Sequence, residues 1–560
     1  MHSCGTRWHL AGFLAGAIGL FAAPQAHAEA DMILINGKIV TVDVQDAVRQ
    51  AIAIGDGKIL AVGSNDEVRA LSGLQSRIID LGGRTVIPGL IDSHIHGIRA
   101  ARSFTTEVSW IDAGSLVEAL DRIRVAARQA KPGAWIIVAG GWTEEQFVET
   151  RRPTQAELAA AAPGHPVYVQ LFYRWAMLTP LALETLKISE DSDLPAGAKL
   201  ERDANDNPTG AITGGIREFG ALFARLPAPT EVEQIAGTRK FFRELNRLAL
   251  TGIVDPGGVG LTPESYQALF HLWRERQLSL RVSYSLSALA PGHDELKTFQ
   301  DLTQLLPAGF GDDMLRFTGI GEIVTWGLYN NDHPSQAQKE QFYEVARWAA
   351  ECGMLLRVHW LHDSSVSELL DIFERINREF RIAPLHWIVD HLDDASVASL
   401  TRMKNLGVGW AFQDAMYFSG DRYAAVAGVE AARRAPPLAT GLRIGVTGTD
   451  AHRVMSYNPF VALRWMLDGR TVGGQSWRGP EETPTRESAL RMYTQGSAWF
   501  AFAEGERGTL EPGKLADLAV LSKDYFTAPV EEIGSIESLM TLVGGQVVHA
   551  KEPYIQVEQR

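Results

Sequence analysis

The sequence predicts an α/β protein: a (β/α)8 barrel with an insertion after its first strand, plus a small β-sandwich formed from both ends of the mature chain. Three observations carry this. Eight short apolar runs alternate with amphipathic helical runs between residues 86 and 505. Residues 100–230 break that rhythm. Short β-like runs with turn signals occupy residues 29–85 and 506–560.

In chain order, residues 10–22, LAGFLAGAIGLFA, come first. This apolar run is well short of the roughly 20 residues that span a bilayer. Arg7 precedes it and Ala26-His27-Ala28 follows as a small-x-small site. The layout is that of a secretory signal peptide, residues 1–28, cut after Ala28. The mature chain is therefore expected to be exported, periplasmic or secreted, with no membrane anchor. Cys4 lies ahead of the apolar run, so Cys352 is the single cysteine left after cleavage. Any metal must then be held by nitrogen and oxygen ligands.

Residues 31–85 alternate short β runs with turns, as in MILINGKIVTV and AIAIGDGKILAVG. LADLAVLS (515–522) and LMTLVGGQVVHA (539–550) match them at the far end. These pieces are expected to pair. The intervening strand candidates are LIDSHIH (90–96), TGIVDP (251–256), LSLRVSYS (278–285), LRFTGIGE (315–322), LLRVHW (355–360), LHWIVDH (385–391), GVGWAF (407–412) and RIGVTGTD (443–450). Amphipathic runs such as 336–353 and 364–380 separate most of them. The insertion holds WIIVAGGW (135–142), PVYVQLF (166–172) and a polar loop around Asn205–Pro208.

Composition narrows the function. A hydrophobic content of 46% and a charged content of 21% describe a protein with a sizeable core. The formal charge of −14, with no Lys/Arg-rich run, argues against a nucleic-acid surface. A small-molecule substrate is the expected partner.

Catalytic groups of such barrels sit at the carboxyl ends of the strands. In VIPGLIDSHIHG (86–97), residues two apart share a strand face, so Asp92, His94 and His96 are expected to project together. Glu322 ends the fourth strand, His359 and His391 end the fifth and sixth, and Asp450 closes the last. Each has a bland explanation: a core histidine, a helix N-cap at Asp450, an ion pair between Glu322 and Arg316. Coincidence of His94, His96, Glu322, His359, His391 and Asp450 at one end of successive strands is much less probable than any one of these. The six form a candidate site for one or two divalent ions, zinc first among them.

These segments resemble the amidohydrolase superfamily, and more narrowly the metal-dependent hydrolases of the amidohydrolase-3 (YtcJ-like) type. PGLIDSHIH, VHWLHDSSVSELLD, WIVDHLDD, GTDAHRVMSYNP and GTLEPGKLADLAVL are similar to its first, fifth, sixth and eighth strands and its closing segment. The resemblance spans essentially the whole mature chain and is compatible with a homo-oligomer. Many relatives carry a carboxylated lysine on the fourth strand. Here the basic residue of that strand is Arg316, which cannot be carboxylated in the same way. Glu322 is the available substitute, bridging or terminal. Trp175 stands about where relatives often have a histidine.

The implied activity is metal-dependent hydrolysis of amide or cyclic amide bonds by metal-activated hydroxide. Asp450 is the candidate general base, and His391 or His359 serves as a ligand in one state and polarises the carbonyl in another. Two alternatives stay open: an ester or lactone hydrolase, and a non-catalytic binding protein on a degenerate scaffold. Trp110, Trp142, Trp175, Trp326, Trp360 and Trp410 lie in segments leading towards the barrel mouth, which suggests an aromatic lining, although each taken singly reads better as core.

Overall fold

The computed structural model describes residues 29–292, 294–329, 333–442, 445–447 and 455–558. The expected signal peptide, Asp450 and His452 lie outside the described residues.

Eight parallel strands form one sheet: β1 (Leu90–Asp92), β2 (Leu250–Asp255), β3 (Arg281–Leu286), β4 (Leu315–Ile320), β5 (Leu355–Trp360), β6 (Ile388–His391), β7 (Gly409–Phe412) and β8 (Gly445–Thr447). They neighbour one another in chain order, from β1 at one end to β8 at the other. The helical turn Met492–Gly496 lies against both end strands. β2 and β3 are buried along their whole length, as a parallel sheet covered on both faces requires. The register sets the strand ends level: Ile253 pairs with Asp92, and Trp360 with His391.

Helices return the chain between strands. α1 (Gly97–Ser103) follows β1, and α2 (Glu231–Arg247) precedes β2. α3 (Gln267–Arg274), α4 (Glu295–Thr303), α5 (Gln336–Glu351) and α6 (Asp363–Asn377) continue the alternation. Reciprocal side-chain caps start two of them, Thr230 with Glu233 on α2 and Ser335 with Gln338 on α5.

Between α1 and α2 the chain builds a separate five-stranded sheet, in the order Lys199–Arg202, Pro208–Thr213, Trp175–Leu178, Val167–Leu171, Ile136–Val138. The pleat divides its residues. Val167, Val169 and Leu171 join Trp110, Trp142 and Trp175 in one apolar cluster, while Tyr168, Ala176 and Ile212 pack on the opposite face. The six tryptophans expected towards the barrel mouth each belong to a buried apolar cluster, as each reads when taken singly. Trp110, Trp142 and Trp410 are fully buried, and Trp175 is 4% exposed beneath the Arg152 guanidinium.

The two chain ends meet directly. Thr85–Pro88 pairs antiparallel with Leu518–Leu521, Val86 opposite Val520. These strands belong to a six-stranded sheet, and a four-stranded sheet is built from Ala30–Ile35, Ala51–Gly55, Lys58–Gly63 and Ser72–Asp80. Leu34, Ile52 and Ile54 of the smaller sheet share a core with Val86, Leu518 and Leu542 of the larger. A buried ion pair joins this part to the barrel: Arg281 donates to Asp517 from Nε (2.7 Å) and Nη2 (3.0 Å). Burial presses the Arg281 guanidinium down, but Asp517 and Asp313 outweigh it and hold its pKa above the usual value. Among the described residues, no helix is long and apolar enough to cross a membrane.

Candidate metal centre

Glu322 lies two residues past β4 and is buried at 4% exposure. Four imidazoles surround its carboxylate. His96 Nε2 is 3.4 Å from Oε1. His94 Nε2 (3.6 Å), His359 Nδ1 (3.1 Å) and His391 Nε2 (3.5 Å) face Oε2. Burial alone would raise the Glu322 pKa, but His96 and His359, with hydrogen bonds from His359 and His391, hold it well below the usual value. A buried anion is therefore encircled by nitrogen donors.

Each ring is set by its own support. Ser93 and His94 lie past the end of β1 rather than on it. The Asp92 Oδ1 accepts from the His94 amide at 3.0 Å and bends the chain, and His96 stands at the start of α1. The expected strand pleat is thus replaced by a turn, yet the two rings still come within 5.4 Å, centroid to centroid. His96 Nδ1 is 2.6 Å from the Gly257 carbonyl. A carbonyl only accepts, so the proton sits on Nδ1 and the lone pair of Nε2 is turned to Glu322. Gly258, at φ +135°, leaves room for this ring: a Cβ there would stand 2.7 Å from His96 Nδ1.

His94 is set the same way from behind. Its Nδ1 is 2.8 Å from Asp390 Oδ1. Asp390 also accepts from Arg357 Nε at 3.1 Å, and Arg357 Nη1 donates to the Ser93 carbonyl at 2.8 Å. Arg357 and Asp390 are both fully buried. Burial pushes the Asp390 carboxyl up, but Arg357 and His94 more than reverse it and hold it far below the usual range. The carboxylate keeps the proton on His94 Nδ1 and leaves Nε2 for the centre.

The other two imidazoles come from neighbouring strand ends. The His359 amide donates to the Glu322 carbonyl at 3.2 Å, which ties the end of β5 to the loop after β4. His391 closes β6 with φ +69°, and Leu392 follows at φ +50°. Left-handed backbone at a non-glycine strand end is uncommon and gathers at functional sites. The Trp410 indole donates to the His391 carbonyl at 2.7 Å and holds that turn. Tyr329 lies against His359 with ring centroids 4.8 Å apart.

The donor set fits a shared cation. Nitrogen or oxygen ligands sit about 2.0–2.2 Å from zinc, so two of them at tetrahedral angles are about 3.3–3.6 Å apart. The separations around Glu322 run from 3.1 to 3.6 Å. Ligand atoms of His94, Glu322 and His391 all lie within 4.8 Å of one another. Five of the six residues expected from the sequence are thus brought together: His94, His96, Glu322, His359 and His391. The sixth, Asp450, is outside the described residues. Glu322 does not pair with Arg316, whose guanidinium reaches back to the Phe502 carbonyl at 3.4 Å.

Sequence reasoning missed Arg357 and Asp390 as the support of His94. The available signal was a lone arginine within the apolar run LLRVHW, two residues before His359 and so on the same strand face.

A family model described as Amidohydrolase family (Amidohydro_3) matches residues 77–549. The chain is 25% identical over 540 residues to an N-substituted formamide deformylase of Arthrobacter pascens, covering 92% of this chain and 97% of that protein. A metal-dependent hydrolase of uncharacterised function from Pyrococcus horikoshii OT3 superposes with a TM-score of 0.65 at 20% identity, over 89% of this chain and 99% of that one. Atrazine chlorohydrolase TrzN from Arthrobacter aurescens TC1, solved with zinc, superposes with a TM-score of 0.51 at 16% identity, over 93% and 95%.

Proposed function

The chain belongs to the amidohydrolase family, and we propose that this enzyme hydrolyses the carbon–nitrogen bond of an amide or cyclic amide, with N-substituted amides as the first class to test. The observation that carries the reading is the ring of four histidines around the buried Glu322 carboxylate. The formamide deformylase relative supports the choice of bond. The four histidines gathered on Glu322 argue against the non-catalytic binding protein.

His94, His96, Glu322, His359, His391 and Asp450 would hold one or two divalent ions, zinc by donor chemistry. Such an ion, when bound, brings the pKa of water from 15.7 to about 7 and polarises a carbonyl. The chain's own groups do the rest. Glu322 supplies the central negative charge, and its two oxygens address different histidines. Asp390 and the Gly257 carbonyl fix the tautomers of His94 and His96. Asp450 takes the proton of the attacking water and returns it to the leaving nitrogen. His391 or His359 would serve as a ligand in one state and polarise the substrate carbonyl in another.

The reading extends to organisation. Residues 86–505 carry the chemistry, residues 29–85 and 506–560 form the sandwich, and residues 1–28 direct export. N-terminal sequencing of secreted protein should begin at Glu29.

The test is a hydrolysis screen of zinc-reconstituted protein over formamides, N-acyl amines, N-acyl amino acids and hydantoin-like rings, with matched esters and lactones. Amide turnover is expected to exceed ester turnover. Asp450→Asn should keep bound metal at least in part and lose about 100- to 10,000-fold in kcat. Near wild-type kcat in that variant would overturn the role of Asp450, and turnover of esters alone would overturn the choice of bond.

A further inference from the structure

A second cavity, of about 290 Å³, opens between α3 and α4 on the outer side of β3. Its walls are mainly apolar, with Leu261, Phe270, Leu286, Leu302 and Leu306 among them. Small-molecule sites have this character: a mostly hydrophobic concavity of about 300 Å³ or more with a few polar groups. One charged group stands at its edge. Arg274, at the end of α3, is exposed and has no carboxylate partner among the described residues. A guanidinium can only donate, so a ligand that pairs with it must bring an acceptor, and an anionic one best.

We infer that this cavity binds a single-chain amphiphilic carboxylate, its hydrocarbon against the leucine walls and its carboxylate held by Arg274. The site is distinct from the metal centre, but one wall touches its support. Ser287, which also lines the cavity, accepts from the Gly258 amide at 2.6 Å and donates to the Gly321 carbonyl at 2.6 Å. Those glycines flank the backbone that holds His96 and Glu322.

Octanoate binding to the zinc-loaded full chain, measured calorimetrically, tests the inference. One saturable equivalent is expected, with octanol binding more weakly. Arg274→Gln should weaken octanoate by about fivefold, the most that an exposed ion pair commonly supplies, and leave octanol unchanged. Leu302→Trp, which fills the cavity, should abolish octanoate binding while formamide hydrolysis and metal content stay at wild-type levels. Undiminished octanoate binding in Leu302→Trp would locate the ligand elsewhere, at the barrel mouth included, and overturn the inference. So would the absence of saturable binding to the wild type. If octanoate failed to bind while Leu302→Trp dissociated an oligomer, another copy of the chain would be the occupant and the inference would fall.

Discussion

The support of His94 makes a prediction that separates stability from metal affinity. In Asp390→Leu the Arg357 guanidinium, fully buried, loses its carboxylate and keeps only two neutral neighbours, the Ser93 carbonyl and the His94 Nδ1 that lies 2.9 Å from its Nη2. Stranding a buried charge costs about 3–5 kcal/mol, whereas replacing both partners by apolar residues is often neutral. The double variant Arg357→Met/Asp390→Leu should therefore recover most of the stability lost by the single variant. Metal affinity should not recover, because in both variants His94 Nδ1 has lost the acceptor that fixes its tautomer. Loss of such a partner typically costs 10–100-fold in affinity, or about 1.4–2.7 kcal/mol. Urea denaturation of metal-free protein reads the first quantity, and zinc competition against a chromophoric chelator reads the second. A double variant that binds zinc as tightly as wild type would refute the assignment of Asp390 to orienting His94.

Three further outcomes follow from the same geometry. Gly258→Ala puts a methyl group 2.7 Å from His96 Nδ1 at a φ of +135°, so zinc affinity should fall by about 10–100-fold; wild-type affinity in the chelator competition would contradict this. Asp517→Ala strands the buried Arg281 side chain and should lower the unfolding free energy by about 3 kcal/mol or more; a loss under about 1 kcal/mol would show that Asp313 alone satisfies Arg281. The third concerns pH. The Asp390 carboxyl is held below its unfolded value of about 3.9. Its stabilising contribution is fully present above that value and is lost as pH falls towards the folded pKa. Metal-free wild type should therefore lose stability below about pH 4, and the Arg357→Met/Asp390→Leu protein should lose less over the same range.

Much of this arrangement is legible in the sequence because both of its periodicities are simple. Buried parallel strands read as apolar runs, amphipathic helices separate them, and ligands fall where the runs end, as at His359 and His391. Glu322 was legible for the same reason, as the anion closing LRFTGIGE. The local geometry of His94 and His96 was not, because a side chain accepting a backbone hydrogen bond at Asp92 stops the strand before either histidine. The insertion was only half legible. Ile136–Val138 and Val167–Leu171 announce themselves as apolar runs, but Lys199–Arg202 buries Leu200 alone. That edge strand reads as loop, and the residues around Asn205 turn out to be the turn of a hairpin with Pro208–Thr213. Arg357 and Asp390 come from different strands, and only the register that sets β5 beside β6 brings them together.

We propose that Glu322 completes a divalent-metal site with the four histidines. Elemental analysis of purified wild type against Glu322→Ala, with circular dichroism to establish that the variant is folded, tests it most directly. One or two equivalents of metal per wild-type chain are expected, with the loss of one equivalent or more in the folded variant. An undiminished metal content in Glu322→Ala, or a wild-type protein that takes up no divalent metal on reconstitution, would contradict it.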